Sequence, residues 1–211
     1  MEEKNLDNQN QLKNAYNKQA NQRNEAITET WKIKERNHFL KLVQEEEKVT
    51  LLEIGTGPGN DSLYFKENGL KTFSTDLSPE MITLCKEKGL EAAEMSFYDL
   101  TFPSNHFDAI YALNCLLHVP KAELEDVLIE LKRVLQPGGL FYLGVYGGKN
   151  SEGIWEDDVY EPKRFFSFYE DDALQTLLTA HFSIESFTVV PKHVIGGELT
   201  FQSVILRKIE I

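Results

Sequence analysis

The stretch Leu51-Leu52-Glu53-Ile54-Gly55-Thr56-Gly57-Pro58-Gly59-Asn60-Asp61-Ser62 constrains this 211-residue chain most. It reads as an apolar strand over Lys48 to Ile54, a turn with glycine at every second position, and a helix that begins at Asn60 or Asp61. Glycine tolerates positive φ, and it has no Cβ to hold a ligand away from the backbone. Such a turn delivers a ligand to the free N–H groups that open a helix, as in nucleotide-binding α/β folds. The spacing narrows the choice further. A dinucleotide turn is G-x-G-x-x-G, and its sixth position here is Asn60. A P-loop would end in Gly-Lys-Ser/Thr, which is absent. What stands is E-x-G-x-G-x-G, with Glu53 at the strand end. A carboxylate there would repel a pyrophosphate and suit a ligand that carries an ammonium group.

An alternation of strand and helix follows. Lys71 to Thr75 is a strand that leads into Asp76. Ser78 and Pro79 open a helix that Gly89 closes. Glu91 to Ser96 and Phe107 to Leu113 are strands, and Pro120 to Leu135 is a helix with Leu124, Val127, Leu128, Leu131 and Leu135 on one face. Gln136-Pro137-Gly138-Gly139 breaks it before a strand over Leu140 to Tyr146. This order predicts a parallel sheet with helices on both faces. Gly147 to Ser167 reads as a long connection, and Glu170 to Ala180 as a helix. Phe182 to Pro191 and Leu199 to Ile209 are strands with Ile195-Gly196-Gly197 between them. They are too close in sequence for a parallel crossover, so they pair antiparallel. Ahead of all this, residues 1–45 read as one or two helices, with the first ten residues frayed; Tyr16, Ala20, Ile27, Trp31, Phe39, Leu40 and Val43 mark the apolar faces.

The glycine turn and its preceding acid resemble motif I of the class I S-adenosylmethionine-dependent methyltransferases. The resemblance is specific over Lys48 to Tyr146 and loose elsewhere. It implies a Rossmann-like, doubly wound, seven-stranded α/β sheet, mostly parallel with an antiparallel C-terminal hairpin, under an N-terminal helical lid. Residues 46–211 would be the methyltransferase domain and residues 1–45 a lid on a single domain. The implied cofactor is S-adenosylmethionine. It would be held by Glu53, Gly55, Thr56, Gly57 and Gly59 of the turn, and by Asp76, 21 residues after Gly55, which can take both ribose hydroxyls. Leu77 and Met81 would pack on the ring or the sugar. In the resembled family an acid after the third strand accepts from the adenine amine. Here Ser96 takes that place, a departure, with the Phe97 N–H able to reach a ring nitrogen and Asp99 available should the register slip. Asn114 and Cys115 would meet the methionine end.

Methyl transfer from a sulfonium leaves a neutral thioether, so the protein aligns the reactants and excludes water. A base is needed only for an acceptor that is protonated at neutral pH. His118 is the candidate by position; Tyr16, Trp31, Trp155, Tyr160 and Arg164 are candidates for the acceptor, a small molecule. A formal net charge of −12 argues against nucleic acid as a partner. Cys85 and Cys115 form no C-x-x-C pair, so no zinc site or disulfide framework is expected. No run of about 20 apolar residues suggests a membrane span, so the expected location is the cytoplasm. Two other readings remain: a cofactor-binding protein without turnover, and a nicotinamide-dependent oxidoreductase. Against the second, none of the eight tyrosines has Lys four residues on.

Overall fold

A computed structural model describes residues 2–209; of the expected spans, Met1, Glu210 and Ile211 lie outside the described residues. Nine strands and seven helices are present among those described. The chain opens with α1 (Glu2–Glu25) and α2 (Thr30–Glu45). Then come β1 (Thr50–Ile54), α3 (Asn60–Glu67), β2 (Lys71–Asp76), α4 (Pro79–Glu87), β3 (Glu91–Glu94) and β4 (Phe107–Leu113). A short turn of 3₁₀ helix, Leu116–His118, leads to α5 (Leu124–Val134) and β5 (Leu135–Gly147). The remainder is β6 (Ser151–Ile154), β7 (Phe165–Phe168), α6 (Asp171–Thr179), β8 (Ser183–Val190), α7 (Lys192–Ile195) and β9 (Thr200–Arg207).

Seven strands form one sheet in the order β3-β2-β1-β4-β5-β9-β8. The first five run parallel, while β9 pairs antiparallel with both β5 and β8. This is the Rossmann-like, mostly parallel sheet with an antiparallel C-terminal hairpin that the resemblance implies. Strand order reverses between β1 and β4, and that switch point opens a crevice at their C-terminal ends.

The strands are apolar because helices cover both faces. Period-2 alternation sorts the side chains. Leu52, Ile54, Ile110 and Ala112 face a core shared with α5 and α6, while Leu51, Ala109 and Tyr111 face a second core with Phe39, Val43 and Phe65 of α2 and α3. Leu124, Val127, Leu128, Leu131 and Val134 give α5 the apolar stripe that seats it.

Several boundaries differ from the sequence reading, each for a local reason. Residues 2–10 are helical rather than frayed: α1 starts at Glu2 and lies along α4, with Ser78 donating to Asn17 at 2.6 Å and Lys13 pairing with Glu94 at the end of β3. The helix expected over Pro120 to Leu135 begins at Leu124, because Glu123 N–H closes a turn on Pro120. It ends at Val134, because Leu135 already pairs with Phe107. The third strand stops at Glu94, short of Ser96. The connection after β5 is not plain loop. Ser151–Ile154 and Phe165–Phe168 pair antiparallel in a two-stranded ribbon with its own aromatic cluster.

Candidate active site

The glycine turn leaves β1 at the switch point. Gly55, Gly57 and Gly59 all hold positive φ, +58°, +57° and +78°. Their surroundings divide them. A Cβ on Gly55 would stand 2.4 Å from Cys115 Cβ, and one on Gly59 would stand 2.7 Å from Leu90 Cδ1. These two are glycine because the β4 end and α4 pack against the turn, which corrects the expectation that all three clear a ligand. A Cβ on Gly57 would meet nothing nearer than Arg23 Nη2 at 4.0 Å. Gly57 is the one that opens onto free space.

Two connected compartments flank the turn and share Arg23, Gly55, Leu113 and Asn114. The first, about 550 Å³, is bounded by Asp76, Leu77, Met95, Phe97, Tyr16 and His118. The second, about 900 Å³, lies over Glu53, Thr56, Asn60 and Asp61 and under the α1–α2 connection. The first combines apolar walls and one carboxylate; the second is charged.

Asp76 ends β2 with its carboxylate bent toward the turn. Oδ2 accepts from Gly57 N–H at 2.9 Å and Oδ1 from Ser78 N–H at 2.8 Å. Burial pushes its carboxyl up, against the pull of those two backbone donors. Glu53 is 3 % exposed and lies under the start of α3. Thr56 Oγ1 donates to its Oε2 at 2.8 Å, and Ser62 Oγ donates to the same oxygen. Burial, then the Asp61 carboxylate, raises Glu53 to about 8. Asp61 itself pairs with Arg36 at 2.6 Å. Asn114 holds positive φ (+55°), and its buried Oδ1 has no hydrogen-bond partner. A buried amide oxygen without a donor is costly, and this one borders both compartments. An adenosine and an amino-acid end would fit this cradle: apolar walls and Asp76 on one side, an acceptor-rich floor of Glu53 and Asn114 on the other.

The first compartment is roofed by α1. Arg164 Nη1 donates to Tyr16 Oη at 3.0 Å. His118 Nδ1 lies 2.7 Å from the Phe165 carbonyl and Nε2 lies 2.8 Å from Tyr16 Oη. A carbonyl only accepts, so Nδ1 carries the proton and Nε2 accepts from the Tyr16 hydroxyl. Burial lowers His118 to about 3, so the imidazole is neutral. Burial likewise raises the Tyr16 phenol, against the pull of Arg23 and Arg164. Asp158, 4 % exposed in its side chain, holds Arg164 through two bonds of 2.8 Å, and the guanidinium stacks 3.7 Å above the Tyr160 ring. Asp158 is therefore inside, paired with Arg164.

Most expected site residues meet around these compartments: Glu53, Gly55, Thr56, Gly57, Asp76, Leu77, Phe97, Asn114, Cys115, His118 and Tyr16 line one or both. Tyr160 and Arg164 stand directly behind Tyr16. Others are placed elsewhere. Trp31 is packed against Phe201 at 4.6 Å between ring centroids, in a small core with Val190, so it is not an acceptor contact. Trp155 packs on Phe166 and Phe168 of the ribbon, outside the cleft. Met81 is fully buried on the inner face of α4. Ser96 donates to Gln9 at 3.3 Å and accepts from Tyr98 N–H, while its neighbours Met95 and Phe97 form the wall. Sequence reasoning missed Arg23 and Lys88. Arg23 follows Tyr16 by seven residues, two helical turns, and so shares its face; that signal was available. Lys88 bridges Pro58 O, Asn60 Oδ1 and Asn24 Oδ1 at 2.5–2.7 Å, which nothing in the local sequence foretells.

Residues 52–143 match the methyltransferase domain family. A sterol 24-C-methyltransferase of Gibberella zeae is 40 % identical over 75 residues, 36 % of this chain but 18 % of that enzyme. The chain thus matches less than a fifth of that relative's length. An uncharacterized methyltransferase of Synechocystis is 26 % identical over 70 % of each chain. Among solved structures, the 1,6-didemethyltoxoflavin N1-methyltransferase of Burkholderia thailandensis, bound to 1,6-didemethyltoxoflavin and S-adenosylhomocysteine, superposes with a TM-score of 0.67. It is 21 % identical, over 83 % of this chain and 79 % of that one. A SAM-dependent methyltransferase of Methanosarcina mazei gives 0.70 at 21 % identity, over 78 % and 94 %. At such identity the superpositions establish the shared fold. Among the described residues no helix is long and apolar enough to cross a membrane.

Proposed function

Taking as premise that this chain belongs to the class I S-adenosylmethionine-dependent methyltransferases, we propose that it transfers a methyl group to a small molecule enclosed between α1 and the segment after β5. The observation that carries this reading is the two-part cleft on either side of Gly55, with Asp76 lining one part and the partnerless Asn114 Oδ1 bordering both. Leu77, Met95 and Phe97 would pack the adenine, Asp76 the ribose, and Glu53 with Asn114 the ammonium end. When bound, the sulfonium cofactor supplies an electrophilic methyl.

The chain's own part is enclosure, alignment and proton traffic. Tyr16 and His118 border the first compartment where an acceptor would meet the methyl. His118 is held in one tautomer by Phe165 O, and Arg164 fixes the Tyr16 oxygen. With burial holding the imidazole near 3, the pair does not deprotonate an acceptor in advance. It takes a proton only as methylation makes the acceptor oxygen or nitrogen strongly acidic, with Tyr16 passing its own proton to Nε2. A small acceptor suits a compartment roofed by Tyr16, with Tyr160 and Arg164 packed behind that ring. The Burkholderia thailandensis relative, whose structure holds a compact heterocycle, is consistent with that class.

The test is calorimetric titration with S-adenosylmethionine, S-adenosylhomocysteine and NAD, followed by transfer of labelled methyl onto a metabolite extract. Micromolar binding of both sulfur ligands and label on a small product support the reading. Binding without transfer would favour a cofactor-binding protein, and preference for NAD would overturn the assignment.

A further inference from the structure

The ribbon that follows β5 carries an aromatic groove outside the cleft. Phe166 and Phe168 stand two residues apart on β7, so their rings share one face of the ribbon, stacked with centroids 5.7 Å apart. Trp155 meets both rings at steep angles, with centroids 5.5 and 5.4 Å away. The cross-strand partners of Phe166 and Phe168 are Gly153 and Ser151, and a Cβ on Gly153 would meet nothing within 4 Å. Small residues opposite large rings leave room beside them. The result is a groove of about 650 Å³ that shares no lining residue with either compartment of the cleft. Trp155 belongs to none of the apolar cores of the described residues, so stabilising a core does not account for it.

One side chain already shows what chemistry the groove takes. Lys149 is exposed, and its ammonium lies 5.0 Å from the centroid of Trp155 and 5.0 Å from that of Phe168. Ring faces attract a cation through their quadrupole. Glu152, Glu156 and Asp157 line the same groove, three carboxylates against that one ammonium. Two of them are engaged elsewhere: Glu152 accepts from Lys121 N–H at 2.9 Å, and Glu156 pairs with Lys163 at 3.3 Å. Among the described residues Lys149 itself makes neither an ion pair nor a side-chain hydrogen bond, so its ammonium rests on the rings. A lysine brings three N–H donors, and ring faces offer no oxygen to receive them. A fully alkylated ammonium has the charge and no donor, so an aromatic seat with an acidic rim suits it better than it suits Lys149. The flexible lysine stem can swing out and leave its charge in water.

We propose that the ribbon groove is a second binding site, for a small quaternary ammonium compound, and that the Lys149 ammonium is the occupant such a ligand displaces. The groove lies outside the cofactor cleft, with Phe166 as the wall between it and His118, whose ring centroid is 4.7 Å behind. The test is an NMR titration of the full chain with tetramethylammonium, methylammonium and tert-butanol at constant ionic strength, followed on the Trp155 indole N–H and the Gly153 amide. Trp31, in its core against Phe201, is the internal control and should not move. The wild type should bind tetramethylammonium roughly three- to thirtyfold more tightly than tert-butanol, a neutral molecule of similar size, and more tightly than methylammonium. Trp155→Leu should lose the preference. Lys149→Gln should bind tetramethylammonium about two- to fivefold more tightly than the wild type, because the competing ammonium is gone. Lys163→Gln, which removes a nearby charge and leaves the rings as they are, should gain less. Equal binding of tert-butanol, or shifts that spare Trp155 and Gly153, overturns the site, and equal binding of methylammonium overturns its choice of a quaternary centre. No gain in Lys149→Gln, or an equal gain in Lys163→Gln, overturns Lys149 as the occupant. Lys149 is exposed, so its variant decides the outcome even where Trp155→Leu disturbs the ribbon.

Discussion

Replacement of Glu53 by Gln should change both how stability responds to pH and how the cleft takes up a cationic ligand. Glu53 is 3 % exposed, and burial together with the Asp61 charge raises its carboxyl to about 8. In the unfolded chain it returns to the ordinary value near 4.5. Between those values the folded state holds a proton that the unfolded state has released. The contribution of this group to stability is therefore complete below about pH 4.5 and is lost as pH rises through about 8. A displacement from 4.5 to about 8 sets a ceiling of about 5 kcal/mol on that loss, a large share of the stability of an ordinary domain. The substitution is conservative in shape. The Thr56 and Ser62 hydroxyls both donate to Oε2, a position the Gln oxygen can occupy. Urea unfolding followed by circular dichroism from pH 5 to 9 should show stability falling with pH in the wild type and a flatter profile in Glu53→Gln. A ligand ammonium would also drive the proton off Glu53. Binding of S-adenosylhomocysteine near pH 7 should then release about one proton, seen as a heat that depends on the buffer, and Glu53→Gln should abolish the dependence. Parallel pH profiles for the two proteins would refute the buried, protonated carboxyl; buffer-independent heats would refute its role toward the ammonium.

The two central glycines should fail differently. Gly55→Ala forces a Cβ to within 2.4 Å of Cys115 Cβ at positive φ, and should cost about 2–5 kcal/mol in denaturant unfolding. Gly57→Ala has open space and should cost about 1–2 kcal/mol from its backbone alone, with weaker ligand binding as its main effect; equal losses of stability would contradict the division. Asp76→Ala should weaken S-adenosylhomocysteine by roughly ten- to a hundredfold in calorimetry, and unchanged affinity would remove Asp76 from the ribose. The His118 ring resonances should stay flat from pH 5 to 8, because burial holds its value near 3. Its folded value lies below the unfolded 6.5, so its contribution to stability is lost as pH falls from about 6.5 toward 3, and a midpoint near 6.5 in the folded protein would refute the buried relay. With an acceptor in hand, Tyr16→Phe should lower turnover by roughly a hundredfold, and full activity would exclude the Tyr16–His118 pair from proton transfer.

The local signals in this chain were strong where one element decides the outcome. Leu51 to Ser62 dictates strand, turn and helix through apolar run, glycine and helix start, and Ser78-Pro79 opens α4 by capping chemistry, with Ser78 Oγ accepting from Met81 N–H. The alternation from β1 to β5 then leaves few topologies, because right-handed crossovers and a reversal at β1 and β4 follow from connection rules. Asp76 was legible for the same reason: strand length and register bring it beside the turn. Signals were weak where a side chain had two surfaces to choose between. Trp31 sits on an amphipathic helix, and periodicity says that it is buried without saying against what; only the docking of α2 onto β9 turned it to Phe201 rather than to the cleft. The β6–β7 ribbon was hidden because its four-residue strands carry no alternation long enough to read.

Sequence alone therefore determined the sheet, the switch-point crevice and the cradle of Glu53, Gly57 and Asp76, since each depends on neighbours within a strand, a turn or one crossover. Tertiary structure alone decided the roof. Tyr16 meets His118 and Arg164 across 102 and 148 residues of chain, and Lys88 meets Asn24 across 64. It also decided which charges were left unpaired, and so that Arg23, and not Arg164, borders the cleft with a buried donor to spare. Contacts of that range depend on how whole helices dock, which no periodicity or spacing along the chain encodes.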